Sequence, residues 1–190
     1  MARTVRYAAM AGLALLLATC QSTLADGLPA GERTIYLVSR AGEEQPVGTI
    51  RFQPTTPGQA TGYTLAMDYS RFKDFFLSMK EMKCLEGPEL WCHIPYPYRN
   101  PHVVTADRLG WLEHDLLFMF KGSKEFGANF WNGIYYRMAA TDGVIRGQAM
   151  AVDLNKLAAP PDDLSTPPYG EYDIDAINRD KRWLPDLVIR

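Results

Sequence analysis

The chain has 190 residues, with 20 lysines and arginines against 22 acidic residues and a formal charge of −2. That balance, with no dominant basic patch, argues against nucleic-acid binding. A hydrophobic fraction of 47% is enough for a packed core.

The first residues read as an export signal. Arg3 and Arg6 supply a positive start, Ala8 to Ala18 is an uncharged apolar run, and Gln21, Ser22 and Thr23 turn polar. The run is shorter than the ~20 apolar residues of a membrane-spanning helix. Thr23 and Ala25 fit the small positions before a cleavage site, so residues 1–25 are assigned to a signal peptide. A second reading starts from Leu17-Ala18-Thr19-Cys20, which resembles a bacterial lipoprotein box with Cys20 as the lipidated residue. Thr19 departs from that pattern, which normally has Gly, Ala or Ser there. The expected location is the bacterial periplasm, or the cell envelope if Cys20 carries lipid.

Removal of residues 1–25 takes two arginines and no acid, leaving 18 basic against 22 acidic residues, or −4. Of three cysteines, Cys84 and Cys92 then remain as an even pair. Gly87-Pro88 turns the chain between them, so a disulfide is expected in an oxidising compartment.

In chain order, Thr34–Arg40 reads as a strand from its β-branched and aromatic residues. Val47–Gln53 alternates, with Ile50 and Phe52 on one side and Thr49 and Arg51 on the other. Tyr63–Asp68 alternates again. Phe72, Phe75, Phe76 and Met79 then fall at helical spacing, which predicts a short helix over 71–82 with Ser70 as its cap. A strand using Phe75, Leu77 and Met79 competes with it. Residues 85–104 read as a long connection stiffened by Pro95, Pro97 and Pro101.

Thr105 opens a short predicted helix through Glu113, followed by a buried strand, Asp115–Lys121, and a loop to Trp131. Gly133–Ala140 and Val144–Leu154 form a hairpin around Asp142-Gly143. Gly147, Ala149 and Ala151 make one face of the second strand small, as helix packing or a close ligand requires. The fold class is therefore a β-rich α+β domain. It is a curved antiparallel sheet or small barrel of about 5–7 strands, with one or two short helices and an extended C-terminal tail. Residues 26–156 form the single globular domain, and the Pro-rich segment 157–190 docks on it.

No dinucleotide, phosphate-loop, serine-hydrolase, zinc-protease or calcium-loop signature is present. The densest constellation is Trp91-Cys92-His93-Ile94-Pro95-Tyr96-Pro97-Tyr98. Rigid aromatics on a stapled, proline-stiffened segment give contact area at low entropic cost. Trp91, His93, Tyr96, Tyr98 and Trp131 are the candidate binding residues, and a satellite core is the competing use of the same aromatics. All three histidines, His93, His102 and His114, lie within a short stretch and are the candidate ligands for a transition metal, with Met79 and Met82 nearby. Glu113, His114 and Asp115 form the best acid–base cluster, otherwise a solvated corner. A nucleophilic Cys92 would have to escape the disulfide.

The leading expectation is an exported binding or accessory protein without catalytic machinery or cofactor. It recognises a protein partner or a small apolar ligand through segment 88–102. The alternative is a metal-binding protein or enzyme built on His93, His102 and His114.

Overall fold

Alternating side chains build the first strands. On the strand Glu44–Phe52, Ile50 and Phe52 point into the core while Arg51 between them is exposed. The computed structural model describes residues 27–53, 59–79 and 81–190. The expected signal peptide and Cys20 lie outside the described residues.

The strands are β1 (Gly31–Val38), β2 (Glu44–Phe52), β3 (Thr61–Met67), β4 (Lys73–Phe76), β5 (Glu81–Glu86), β6 (Glu89–Ile94) and β7 (Val103–Val104). One helix, α1 (Gly110–Asp115), precedes β8 (Leu117–Gly122), β9 (Gly133–Thr141), β10 (Val144–Val152), β11 (Ile174–Asp175) and β12 (Asp186–Ile189). They form one sheet in the order β4-β5-β6-β8-β9-β10-β12-β1-β2-β3-β7, with β11 paired to β10 off that path. All pairings are antiparallel. The path ends at β4 and β7, so the sheet is open and not a barrel. Its twelve strands exceed the five to seven expected. Among the additional ones, β5 begins inside the stretch expected to be helical, and β6 and β7 occupy residues expected to be a long connection over 85–104. β4, β7, β11 and β12 have two to four residues, too few for alternation to show.

β12 fills the middle of the sheet. It pairs with β10 on one side and β1 on the other, and Ile189 sits opposite both Ile145 and Ile35. The C-terminal segment therefore completes the sheet it was expected to dock on. Gly147 is small because β12 and β9 leave no room: an added Cβ would meet Tyr136, Leu187 and Met138 at 3.1–3.3 Å.

The sheet is covered on both faces. One core holds Ile35, Phe52, Trp91, Leu112, Phe118 and Tyr136, and α1 packs into it through Leu112. The second holds Met82, Cys84, Cys92, Met119, Tyr135, Leu154 and Leu157. Along β6 the alternation sends Trp91 to the first core, and Leu90 and Cys92 to the second. Double burial explains why β6 shows no polar face in its sequence.

The helix expected over 71–82 is absent. Asp68 caps a single 3-10 turn, Tyr69–Arg71, by accepting from the Ser70 N–H at 2.9 Å. The chain then becomes β4, paired to β5 with Lys73–Glu86 and Lys83–Asp74 ion pairs across the hairpin. Phe72 is buried, whereas Phe76 and Met79 are exposed, so the four apolar residues share no face. The helix expected from Thr105 begins later, at Gly110, because Thr105 bridges to Arg108 instead.

The hairpin at Asp142-Gly143 is as expected. Both residues are left-handed, at φ 52° and 72°, the backbone of a two-residue turn that matches strand twist. Cys84 and Cys92 face each other across β5 and β6 and form the disulfide.

Candidate functional site

An apolar groove of about 460 Å³ opens where β5 begins and β6 ends. One wall is Met82, His93 and Ile94, continued by Pro95 and Pro97. The opposite wall is Leu154, Leu157 and Ala158 from a 3-10 turn, Leu154–Ala158, with Phe130 beside it. Local chemistry fixes both walls. The prolines limit the backbone of the first. Asp153 caps the turn of the second by accepting from the Asn155 N–H. Tyr98 donates its hydroxyl to the Leu157 carbonyl at 2.7 Å, and Tyr169 donates to Asp153 O at 3.0 Å. Tyr69, Ser78, Glu81, Lys83, His93 and Asn155 complete the lining, and a pocket of this volume with apolar walls and some polar groups suits a small ligand.

His93 is one of the polar lining residues. Its Nε2 is 3.0 Å from the Asp115 carbonyl, an acceptor, so Nε2 carries the proton. Its Nδ1 then accepts from the Tyr69 hydroxyl at 2.8 Å. Burial holds the imidazole neutral and pushes its pKa down to about 4, against a smaller upward pull from the Asp115 carbonyl. His114 is fixed in the same manner. Its Nδ1–H donates to Gly110 O at 2.7 Å, and its Nε2 accepts from the Tyr169 N–H at 3.2 Å. Burial also brings His114 to about 4.

His102 is half-exposed, with Nε2 3.4 Å from Asp115 Oδ2. Its backbone is left-handed at φ 52°, held by its own N–H donating to Asn100 Oδ1 and by Tyr63 N–H donating to its carbonyl. Asp115 collects further donors, Tyr63 OH at 2.7 Å and Asn100 Nδ2 at 2.7 Å. Burial raises the Asp115 carboxyl above its ordinary range, and those two hydrogen bonds oppose the rise. Glu113 is buried, with Oε1 accepting from Met138 N–H at 2.6 Å and Oε2 accepting a hydrogen bond from the Tyr135 hydroxyl. Burial raises its pKa. Glu113, His114 and Asp115 are therefore interior groups, not a solvated corner.

The three histidines do not converge on a common point. His93 and His114 have both ring nitrogens occupied within the protein. Among the described residues no three His, Cys, Asp or Glu side chains are grouped to hold an ion.

The candidate binding residues separate. Trp91 is fully buried, 6.0 Å from Phe120 between ring centroids, and takes no part in a surface. Tyr96 packs edge-on against Tyr98 and His114, and Tyr169 stacks on His114. This aromatic cluster reaches the groove's wall through two hydrogen bonds, Tyr98 to Leu157 and Tyr169 to Asp153. His93 lines the groove, and Trp131, 70% exposed, follows the lining residue Phe130. Sequence reasoning did not find Tyr69, Leu154, Leu157 or Ala158 as site residues. Only their proximity in space identifies them, since each comes from a segment with no motif.

A second cleft of about 650 Å³ lies over α1 and β9. Its lining mixes Arg108 and Arg137 with Asp107 and Glu171, and both oxygens of its buried Glu113 carboxyl already accept hydrogen bonds.

Comparison of the chain with protein families, characterised proteins and solved structures finds no match. No described helix is long and apolar enough to cross a membrane.

Proposed function

We propose that this is an exported binding or accessory protein whose ligand is small and apolar and occupies the groove between Pro95–Pro97 and Leu154–Ala158. The observation that carries this reading is the groove itself: a largely apolar lining of Met82, Ile94, Pro95, Pro97, Phe130, Leu154 and Leu157, one wall stiffened by proline and the other held by the Tyr98–Leu157 hydrogen bond, with Tyr69, His93, Glu81, Lys83 and Asn155 as polar lining residues. Pinned walls lower the ordering cost of binding. The groove is lined by the middle of the candidate segment 88–102, His93 to Pro97, although Trp91 serves the core.

Export is part of the proposal. It is supported by the n-h-c order of residues 1–25 and by the Cys84–Cys92 disulfide, which needs an oxidising compartment to persist. Lipidation at Cys20 would tether the same domain.

The rival reading, a metal site or enzyme on His93, His102 and His114, draws little support from the geometry. Two of the three imidazoles spend both nitrogens on internal partners. Titration with a neutral fluorescent probe, N-phenyl-1-naphthylamine, tests the groove reading. Saturable binding by the native chain and its loss in Ala158→Trp are expected. Equal binding by both overturns the reading.

A further inference from the structure

We propose that the groove is filled from a lipid surface: its rim docks on a membrane and the groove receives one acyl chain. This rests on the groove being a ligand site and adds the ligand's class and its route.

The rim is the point of departure. Two lining residues, Ser78 and Phe130, are each followed at once by an exposed apolar residue: Met79, 95% exposed, and Trp131, 70% exposed. Phe76, the last residue of β4 just before the first loop, and Phe126 in the second are exposed to 76% and essentially fully. The loops are tied to each other, because Ala128 N–H donates to the Leu77 carbonyl at 2.7 Å. Four of the seven large hydrophobic residues exposed among the described residues are thereby gathered beside one end of the groove. Scattered exposed hydrophobics need no explanation, but a gathered set does.

The form of the set points to lipid. A protein partner is anchored by side chains seated in packed pockets. Here the apolar side chains stand out from loops, where each gains by entering the acyl boundary of a bilayer on its own. Tryptophan at the rim suits the headgroup level. Among the described residues beside the rim, Lys124 is matched by Glu125, and Lys73 and Lys83 are paired with Glu86 and Asp74, so no cluster of positive charge stands there. Attraction is therefore apolar and not electrostatic.

Continuity supplies the ligand. Behind Met79 and Trp131 the lining runs on through Phe130, Leu154, Leu157 and Ile94. A hydrocarbon chain leaving a docked bilayer meets apolar side chains along this path and stays out of bulk water. Tyr69 and His93 form a hydrogen-bonded polar pair on the lining, with Glu81, Lys83 and Asn155 as its other polar side chains.

The test uses the exported chain, phosphatidylcholine vesicles and the fluorescent fatty acid cis-parinarate. The native chain is expected to co-sediment with vesicles equally at low and high salt, and to bind parinarate in solution. The rim variant Met79→Asp/Phe126→Asp/Trp131→Asp changes only exposed positions. It is expected to lose at least tenfold in vesicle partitioning while binding parinarate within twofold of native. Ala158→Trp is expected to do the reverse. Native chain that stays in the supernatant, or a rim variant that sediments like native, overturns the docking. Failure of native chain to bind parinarate overturns acyl-chain occupancy. If N-phenyl-1-naphthylamine still binds, the groove reading itself survives that failure.

Discussion

The Tyr69 hydroxyl donates to His93 Nδ1 at 2.8 Å, joining the β3–β4 connection to β6 on the lining of the groove. The bond fixes the tautomer of a buried imidazole, since Nε2 is committed to the Asp115 carbonyl at 3.0 Å. Tyr69→Phe leaves Nδ1 without its donor. The expected loss is about 1–3 kcal/mol of unfolding free energy, the cost of an unsatisfied buried polar atom. Urea unfolding measures it, and a variant as stable as native would show that water or another group replaces the phenol.

Acid is expected to weaken the fold through His93 and His114. Both have folded-state pKa values near 4, below the ordinary 6.5. Between about pH 6.5 and 4 the unfolded chain takes up protons that the folded chain refuses, so stability falls as pH falls through that window. The contribution is present in full above about 6.5. Asp115 and Glu113, with raised values, act in the opposite sense and return part of the loss in acid. Imidazole carbon-proton shifts measured against pH separate the effects. His93 and His114 signals are expected to stay at their neutral positions down to pH 5. Titration of either near 6.5 contradicts the burial argument.

The disulfide closes a short loop across β5 and β6. Removing it in Cys84→Ser/Cys92→Ser is expected to lower stability by roughly 2.5 kcal/mol on the chain-entropy argument. The hairpin pairing itself needs no sulfur bond, so strand content by circular dichroism is expected to persist. Thiol titration of the unreduced native chain should find neither Cys84 nor Cys92 reactive.

Trp91→Ala is expected to cost about 3–5 kcal/mol, because it empties a fully buried site between β5 and β8. Tyr98→Phe acts differently. It removes the bond to the Leu157 carbonyl and frees one wall of the groove. The expected result is a small change in stability with several-fold weaker probe binding. Equal probe affinity would show that the wall is held without Tyr98.

The sequence displayed whatever repeats over enough residues. Ile50 and Phe52 alternate along a nine-residue strand, and Asp142-Gly143 has the turn chemistry its backbone requires. Cys84 and Cys92 were paired by parity. What stayed hidden was set by distant contacts. Phe72, Phe75, Phe76 and Met79 imitate a helix stripe, yet two of them face solvent because β4 pairs with β5. β12 has only four residues and owes its central place to β1 and β10. The groove joins four stretches of the chain, 69–83, 93–97, Phe130 and 154–158, so neither Leu157 nor Tyr69 carries a local sign of it. The role of Asp115 as a shared anchor for Tyr63, Asn100 and His102 also appears only in three dimensions.

The groove is the central claim, and the most direct measurement is titration of N-phenyl-1-naphthylamine into the native chain and into Ala158→Trp. Ala158 lines the groove but is itself exposed, so the substitution fills the site without entering the core. The expected result is saturable binding by the native chain and at least tenfold weaker binding by the variant, with unchanged unfolding midpoints. Equal affinity in the two proteins, or no saturable binding by the native chain, would contradict the account.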